Sequence, residues 1–148
     1  MTTTEPALDG RVVALAHHAA RALLEGVLAR HGMTFHQSVT LRSVVAAGGT
    51  RDGDELAADV TGSLKTEESV VRAAMAELTA AGLLEADPQH VSAVRLTDTG
   101  RRRYETTTAE TAEISARLYD GIPAGDLAVA GRVLTLITRR ANAELAGV

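Results

Sequence analysis

Apolar residues recur every three or four positions through most of this chain, the spacing of a buried helical face. From about Asp9 to His31, one stripe holds Val13, His17, Ala20, Leu24, Val27 and Leu28. A second, adjacent stripe holds Leu8, Val12, Leu15, Ala19 and Leu23. A helix apolar over so wide an arc is expected to be buried on two sides, by its own core and by a partner subunit. Gly32 ends it, and Thr34-Phe35-His36-Gln37 opens the next helix. Those four residues form a capping box, in which the Thr hydroxyl accepts from a free backbone N–H and Gln reaches back. This second helix runs to about Ala47 with Leu41, Val44 and Val45 inward, and Gly48-Gly49 stops it. Asp52, with Glu55 three residues on, repeats the cap for a third helix carrying Leu56, Ala57 and Val60.

A tight turn is expected at Thr61-Gly62-Ser63, then a longer helix from Thr66 to Ala81 with Val70, Val71, Ala74, Met75 and Leu78 inward. Gly82 stands where a left-handed C-terminal cap belongs. Two short strand-like runs follow, Leu83-Leu84-Glu85 and Val91 to Leu96, around a polar tip. Helix, turn, helix and two-stranded ribbon together make a winged helix-turn-helix. Thr97 then caps a polar helix reaching about Tyr119, whose middle is rich in threonine, a mediocre helix former. Asp120-Gly121 is a break, and Pro123 suits the start of a last helix. That helix places Leu127, Ala130, Leu134, Ile137, Ala141 and Leu145 on one face, an amphipathic arm with no core of its own to cover. The expected fold is mainly α, a winged helix-turn-helix with a two-stranded β wing and N- and C-terminal dimerisation helices. Residues 1–33 are a tail (disordered over 1–7) and a dimerisation helix, 34–104 the winged helix, and 105–148 the C-terminal dimerisation helices.

Composition narrows the function. At 148 residues the chain is one domain, or one with a dimerisation arm. Its aromatics are Phe35, Tyr104 and Tyr119, so the core is aliphatic. No cysteine is present, which excludes disulfides, thiol redox sensing and thiolate metal sites. The N-terminus lacks a basic start and an apolar signal core, and no apolar run approaches the ~18 residues of a membrane span. A cytoplasmic protein with no membrane partner is expected. Net charge is −4. Between Thr61 and Arg103, Lys65, Arg72, Arg95, Arg101, Arg102 and Arg103 are balanced by Glu67, Glu68, Glu77, Glu85, Asp87 and Asp98. That is lean for a DNA reader, because phosphate contacts supply much of the affinity. Phosphate loops, G-x-S-x-G and His-Glu-x-x-His are all missing, so neither enzyme chemistry nor a cofactor is indicated. Asp52 and Asp54 beside Gly53 lack the other ligands of a calcium loop and read as a helix cap.

Leu78-Thr79-Ala80-Ala81-Gly82-Leu83-Leu84 and Arg95-Leu96-Thr97-Asp98-Thr99-Gly100, with Gly32-Met33-Thr34, Gln37 and Leu41, resemble the motifs of the MarR family. Its pattern is L-x-x-x-G-L-[VL] closing the recognition helix and R-L-T-x-x-G closing the wing. The likeness spans nearly the whole chain, and the order and spacing of the motifs carry it. It implies a homodimeric transcription regulator on palindromic double-stranded DNA, released by a small phenolic or lipophilic effector. The family's basic positions are held here by Ala73 and Glu77, and its wing-tip arginine by Gln89 or His90.

The outward face of the recognition helix is expected to carry Lys65, Thr66, Ser69, Arg72, Ala73 and Ala76, with Arg72 able to take a guanine edge. Gln89, His90 and Arg95 complete the DNA-binding set; His90 would make wing contacts pH-dependent. Arg101 to Arg103 either touch phosphates or form a solvated charge run. His17 is either a hydrogen-bonded core histidine or a polar anchor in a ligand pocket. The resemblance puts that pocket between helices one, two and five and the winged helix, which adds His36, Tyr104 and Thr108. His31 and His36, with Glu110 or Glu113, would match the zinc sites of some family members, but the tight ligand spacing is missing and no metal is assigned. The alternative function is a winged helix that has lost operator binding and serves as a small-molecule or protein-interaction module.

Overall fold

The computed structural model describes residues 4–147. The first three residues of the expected tail lie outside them. The order is α1 (Gly10–Arg30), α2 (Phe35–Ala46), β1 (Thr50–Asp52), α3 (Gly53–Leu64), α4 (Glu68–Ala80), β2 (Leu84–Ala86), β3 (Ala93–Leu96), α5 (Asp98–Tyr119) and α6 (Ala124–Ala146). The chain divides into two compact units after Glu113.

Local chemistry sets most of the boundaries. Asp9 caps α1 by accepting from Val12 N–H at 2.8 Å. The Thr34–Gln37 capping box is formed in both directions. Asp52 accepts from the N–H groups of Asp54 and Glu55, both at 3.0 Å. At the end of α4, Gly82 takes φ +75°, its N–H donating to Thr79 O while Leu83 N–H donates to Leu78 O. This is a Schellman motif, and Leu78 and Leu83, both buried, make its hydrophobic contact. Gly32 and Met33 close α1 in the same way.

In the first unit the core packs Leu41 and Val44 of α2 against Leu56 and Val60 of α3, Val71 and Leu78 of α4, and Leu84 and Leu96 of the sheet. The sheet has three strands, not the expected two, in the order β1-β3-β2. β1 pairs antiparallel with β3, Thr50 opposite Arg95. Its three residues are too few to show an alternation, and they form a strand because β3 offers a free edge.

The two sequence motifs of the wing lock onto each other. Thr97 Oγ1 donates to Gly82 O at 2.6 Å and accepts from Gly100 N–H at 2.9 Å. Gly100 packs directly on the Leu83 carbonyl. The start of α5 is thereby fixed to the corner where α4 turns into β2.

Four other expectations change. The turn placed at Thr61-Gly62-Ser63 is helical, because α3 continues to Leu64; the reversal falls at Lys65, which takes φ +53°. Val70 is exposed rather than inward, since Val71, Ala74, Met75 and Leu78 already fill the buried face of α4. α1 is buried in its own unit only at Val27 and Leu28, leaving Leu15 and Leu23 exposed; Leu8, expected on the helix, is also exposed and precedes the Asp9 cap. With 21 residues and a mean hydropathy of 1.3 over its best window, α1 is also long and apolar enough to cross a membrane by length and composition. That corrects the expectation that no run approaches a span. Its two apolar stripes lift the mean, although the helix also carries the Arg21–Glu25 ion pair.

The second unit contains the end of α5 and α6. Gly121 takes φ +75° at the break, and α6 starts after Pro123. No residue of α6 is buried; Leu134, Leu136, Ile137 and Leu145 are all exposed.

Candidate nucleic-acid interface and ligand cavity

Ser69, Arg72, Ala73 and Ala76 fall on one exposed face of α4. Lys65 and Thr66, expected on that face, lie instead in the turn before it. The Lys65 ammonium donates to Gly62 O, closing the end of α3. Arg72 is held by carboxylates of its own chain. Its Nη2 donates to Asp54 Oδ1 at 2.7 Å and to Glu68 Oε1 at 3.3 Å. The Asp54 bond, seconded by Glu68, raises the guanidinium pKa further above its ordinary value.

The wing tip is a tight turn. Gln89 N–H donates to Asp87 Oδ1 at 2.8 Å, and the Asp87 N–H donates to Ala93 O at 3.0 Å. Gln89 and His90 are exposed at its apex. Arg95, on the central strand, donates through Nη2 to Glu85 Oε1 at 2.7 Å across the β2–β3 pair. Thus both arginines of the expected DNA face are neutralised within the chain. Of the run at the start of α5, Arg103 donates to the His31 carbonyl that ends α1, so it is tied down rather than solvated or free for phosphate. Arg101 and Arg102 are exposed.

A cavity of about 170 Å³ opens between α1, α2 and α5. Leu24, Leu28, Met33, Phe35, Val39 and Leu64 give it apolar walls, and Arg42, Ser38, Tyr104, Thr108 and Thr111 give it polar groups. Tyr104 and Thr108 therefore line it as expected, but His17 and His36 do not. His17 is neither core nor pocket within the chain: it is exposed, its ring 5.4 Å from that of His18. His36 leans edge-on against Phe35. Sequence reasoning missed Phe35 and Arg42, although their seven-residue spacing puts them on one helix face. Thr107 and Thr111 donate to carbonyls one turn back, at 2.9 and 3.0 Å, which satisfies these two hydroxyls of the threonine-rich stretch.

His31 and Glu110 meet at 2.9 Å, joining the end of α1 to α5, and Arg30 reaches the other carboxylate oxygen at 2.8 Å. The third member of the cluster is thus a cation, and among the described residues no three metal-ligating side chains converge. The His31 hydrogen bond, then Arg30, holds Glu110 below its ordinary value of 4.5. A carboxylate depressed in the folded state adds stability above its unfolded pKa, and that stability is lost as pH falls through the folded value. Glu110→Gln should therefore cost stability at neutral pH and little once the pH has fallen below the depressed folded-state value. Thermal melts of the two proteins across that range should converge in acid; parallel curves would reject the role of the pair.

No protein-family model and no curated protein matches the chain by sequence. Solved structures match by fold. A MarR-family transcription regulator superposes with a TM-score of 0.76 at 22% identity, over 92% of this chain and 89% of its own. The reduced form of MarR from E. coli gives 0.69 at 21% identity, over 90% of this chain and 95% of its own. A cysteine-to-serine mutant of E. coli MarR in complex with operator DNA gives 0.70 at 20% identity, over 86% and 91%.

Proposed function

We propose that this chain, which has the winged-helix fold of the MarR-family transcription regulators, is a homodimeric regulator that binds palindromic DNA through α4 and the wing. The observation that carries the reading is the exposed row of Ser69, Arg72, Ala73 and Ala76 on α4, in a fold shared with an operator-bound regulator. Serine and arginine on such a face can reach phosphates and base edges. The effector is a small phenolic or lipophilic molecule held by the α1–α2–α5 cavity. An apolar cavity of about 150 Å³ holds one benzene ring, and this one adds Tyr104, Arg42 and Thr108 to bind a polar substituent.

Fluorescence anisotropy of a labelled duplex from upstream of the protein's own gene, against a scrambled duplex, tests the reading. Equal affinities for the two would sink it. Because Arg72 and Arg95 are paired internally, few phosphates are neutralised. The slope of log K against log salt should then be no steeper than about −5, half that of a strongly basic repressor. A slope near about −10 would reject that economy of contacts.

The same internal pairing favours the second reading, a winged helix that no longer binds an operator and serves as an interaction module. The two readings part on the scrambled-duplex comparison.

A further inference from the structure

Arg72 has five N–H donors: one on Nε and two on each terminal nitrogen. Both contacts recorded for it use Nη2: Asp54 Oδ1 at 2.7 Å and Glu68 Oε1 at 3.3 Å. Reading a guanine requires two parallel N–H groups directed at O6 and N7. The end-on pair, Nη1 with Nη2, and the side-on pair, Nε with Nη2, each need an Nη2 hydrogen, and both Nη2 hydrogens are taken. One carboxylate has to let go before Arg72 can read a base.

The geometry says which. Asp54 sits in the first turn of α3, where its own N–H is held by the Asp52 cap at 3.0 Å. It approaches Arg72 from a second helix, at the shorter distance. Glu68 is on α4 itself, one turn before Arg72, on a longer side chain with three rotatable bonds. An (i, i+4) pair of this kind is weak and easily exchanged. Electrostatics point the same way. Arg72, Asp54 and Glu68 together carry one net negative charge, which phosphate repels; expelling Glu68 leaves a neutral pair.

We infer that Asp54 is a positioning residue that aims Arg72 at a guanine, and that Glu68 is the exchangeable ligand displaced when DNA binds. This rests on the DNA-binding reading above. Asp54 then sets base preference without touching a base, and Glu68 holds affinity down without affecting preference.

The test is selection of the full-length protein and its variants against duplexes with a randomised core. Wild type should enrich a guanine at one position in each half-site. Arg72→Ala should remove that preference, a loss of about 5- to 150-fold in discrimination. Asp54→Ala should relax the same position while overall affinity stays within about threefold, since losing a negative charge near phosphate offsets the misplaced arginine. Glu68→Gln should keep the preference and tighten binding several-fold. Melting temperatures should barely move, because exposed ion pairs contribute little, so a change confined to one base position separates aim from fold. The inference is overturned if Asp54→Ala keeps the guanine that Arg72→Ala loses, or if Asp54→Ala and Glu68→Gln behave alike. It is overturned too if Arg72→Ala leaves every position unchanged, an outcome that leaves DNA binding itself standing. If wild type enriches nothing, the DNA-binding reading fails and takes this one with it.

Discussion

Gly100→Ala should destabilise the protein by about 3 kcal/mol or more, beyond the usual cost of an overpacked core. A Cβ at this position would lie 2.2 Å from the Leu83 carbonyl oxygen and 2.9 Å from Leu96 Cδ1. The first neighbour is backbone and cannot rotate away. It is also held: the Leu83 carbonyl accepts from Thr97 N–H at 3.2 Å, and Thr97 Oγ1 binds Gly82 O and Gly100 N–H. Relief of the clash means moving the start of α5 off the corner between α4 and β2, which breaks that lock. At this chain length the melting temperature should fall by roughly 10 °C. Gly62→Ala is the control. Nothing lies within 4 Å of a Cβ there, and α3 runs straight through it. Alanine inside a helix should stabilise by roughly 0.5–1 kcal/mol. Differential scanning calorimetry of the two variants checks both halves; equal melting temperatures would refute the close approach at Gly100.

Deleting residues 123–148 should convert the protein to a monomer or an aggregate with little operator affinity. The argument is one of apolar surface. α6 exposes Leu134, Leu136, Ile137 and Leu145, α1 exposes Leu15 and Leu23, and Leu8 is exposed just before α1. Burying each leucine-sized side chain contributes ~1.5–3 kcal/mol. Two copies of that set would outweigh the roughly 4–15 kcal/mol cost of association. A two-fold dimer also sets the spacing of its two α4 helices, which must meet major grooves about 34–36 Å apart. Loss of the second half-site contact should cost about 10²- to 10⁴-fold in operator affinity. Analytical ultracentrifugation and anisotropy on the truncated protein measure both effects. A truncated dimer that still binds would remove α6 from the proposed interface.

What could be read in the sequence is what a few neighbouring residues decide. The Thr34–Gln37 box, Asp52, Gly32, Gly82 and Pro123 each act on backbone groups within about five positions, so their effect was legible before any fold was known. The apolar period of α4 placed Val71, Ala74, Met75 and Leu78 correctly, but not Val70, which lies at the edge of the stripe, where packing decides which side is covered. Tyr104 and Thr108 were named for the pocket through a resemblance. Phe35 and Arg42 join them only because α2 packs where it does.

The sequence by itself determined the helices, their caps and the winged order of elements, because those follow from local hydrogen bonding and hydrophobic period. Tertiary structure alone decided three things. β1 exists because a three-residue segment finds the open edge of β3. α3 continues through Gly62 because Leu56, Ala57 and Val60 are pinned in the core and the αL residue that ends it is Lys65. Arg72 and Arg95 are neutralised by Asp54 and Glu85, 18 and 10 residues away. Such pairings depend on where helices and strands settle against one another in space, and neither residue period nor capping chemistry carries that information.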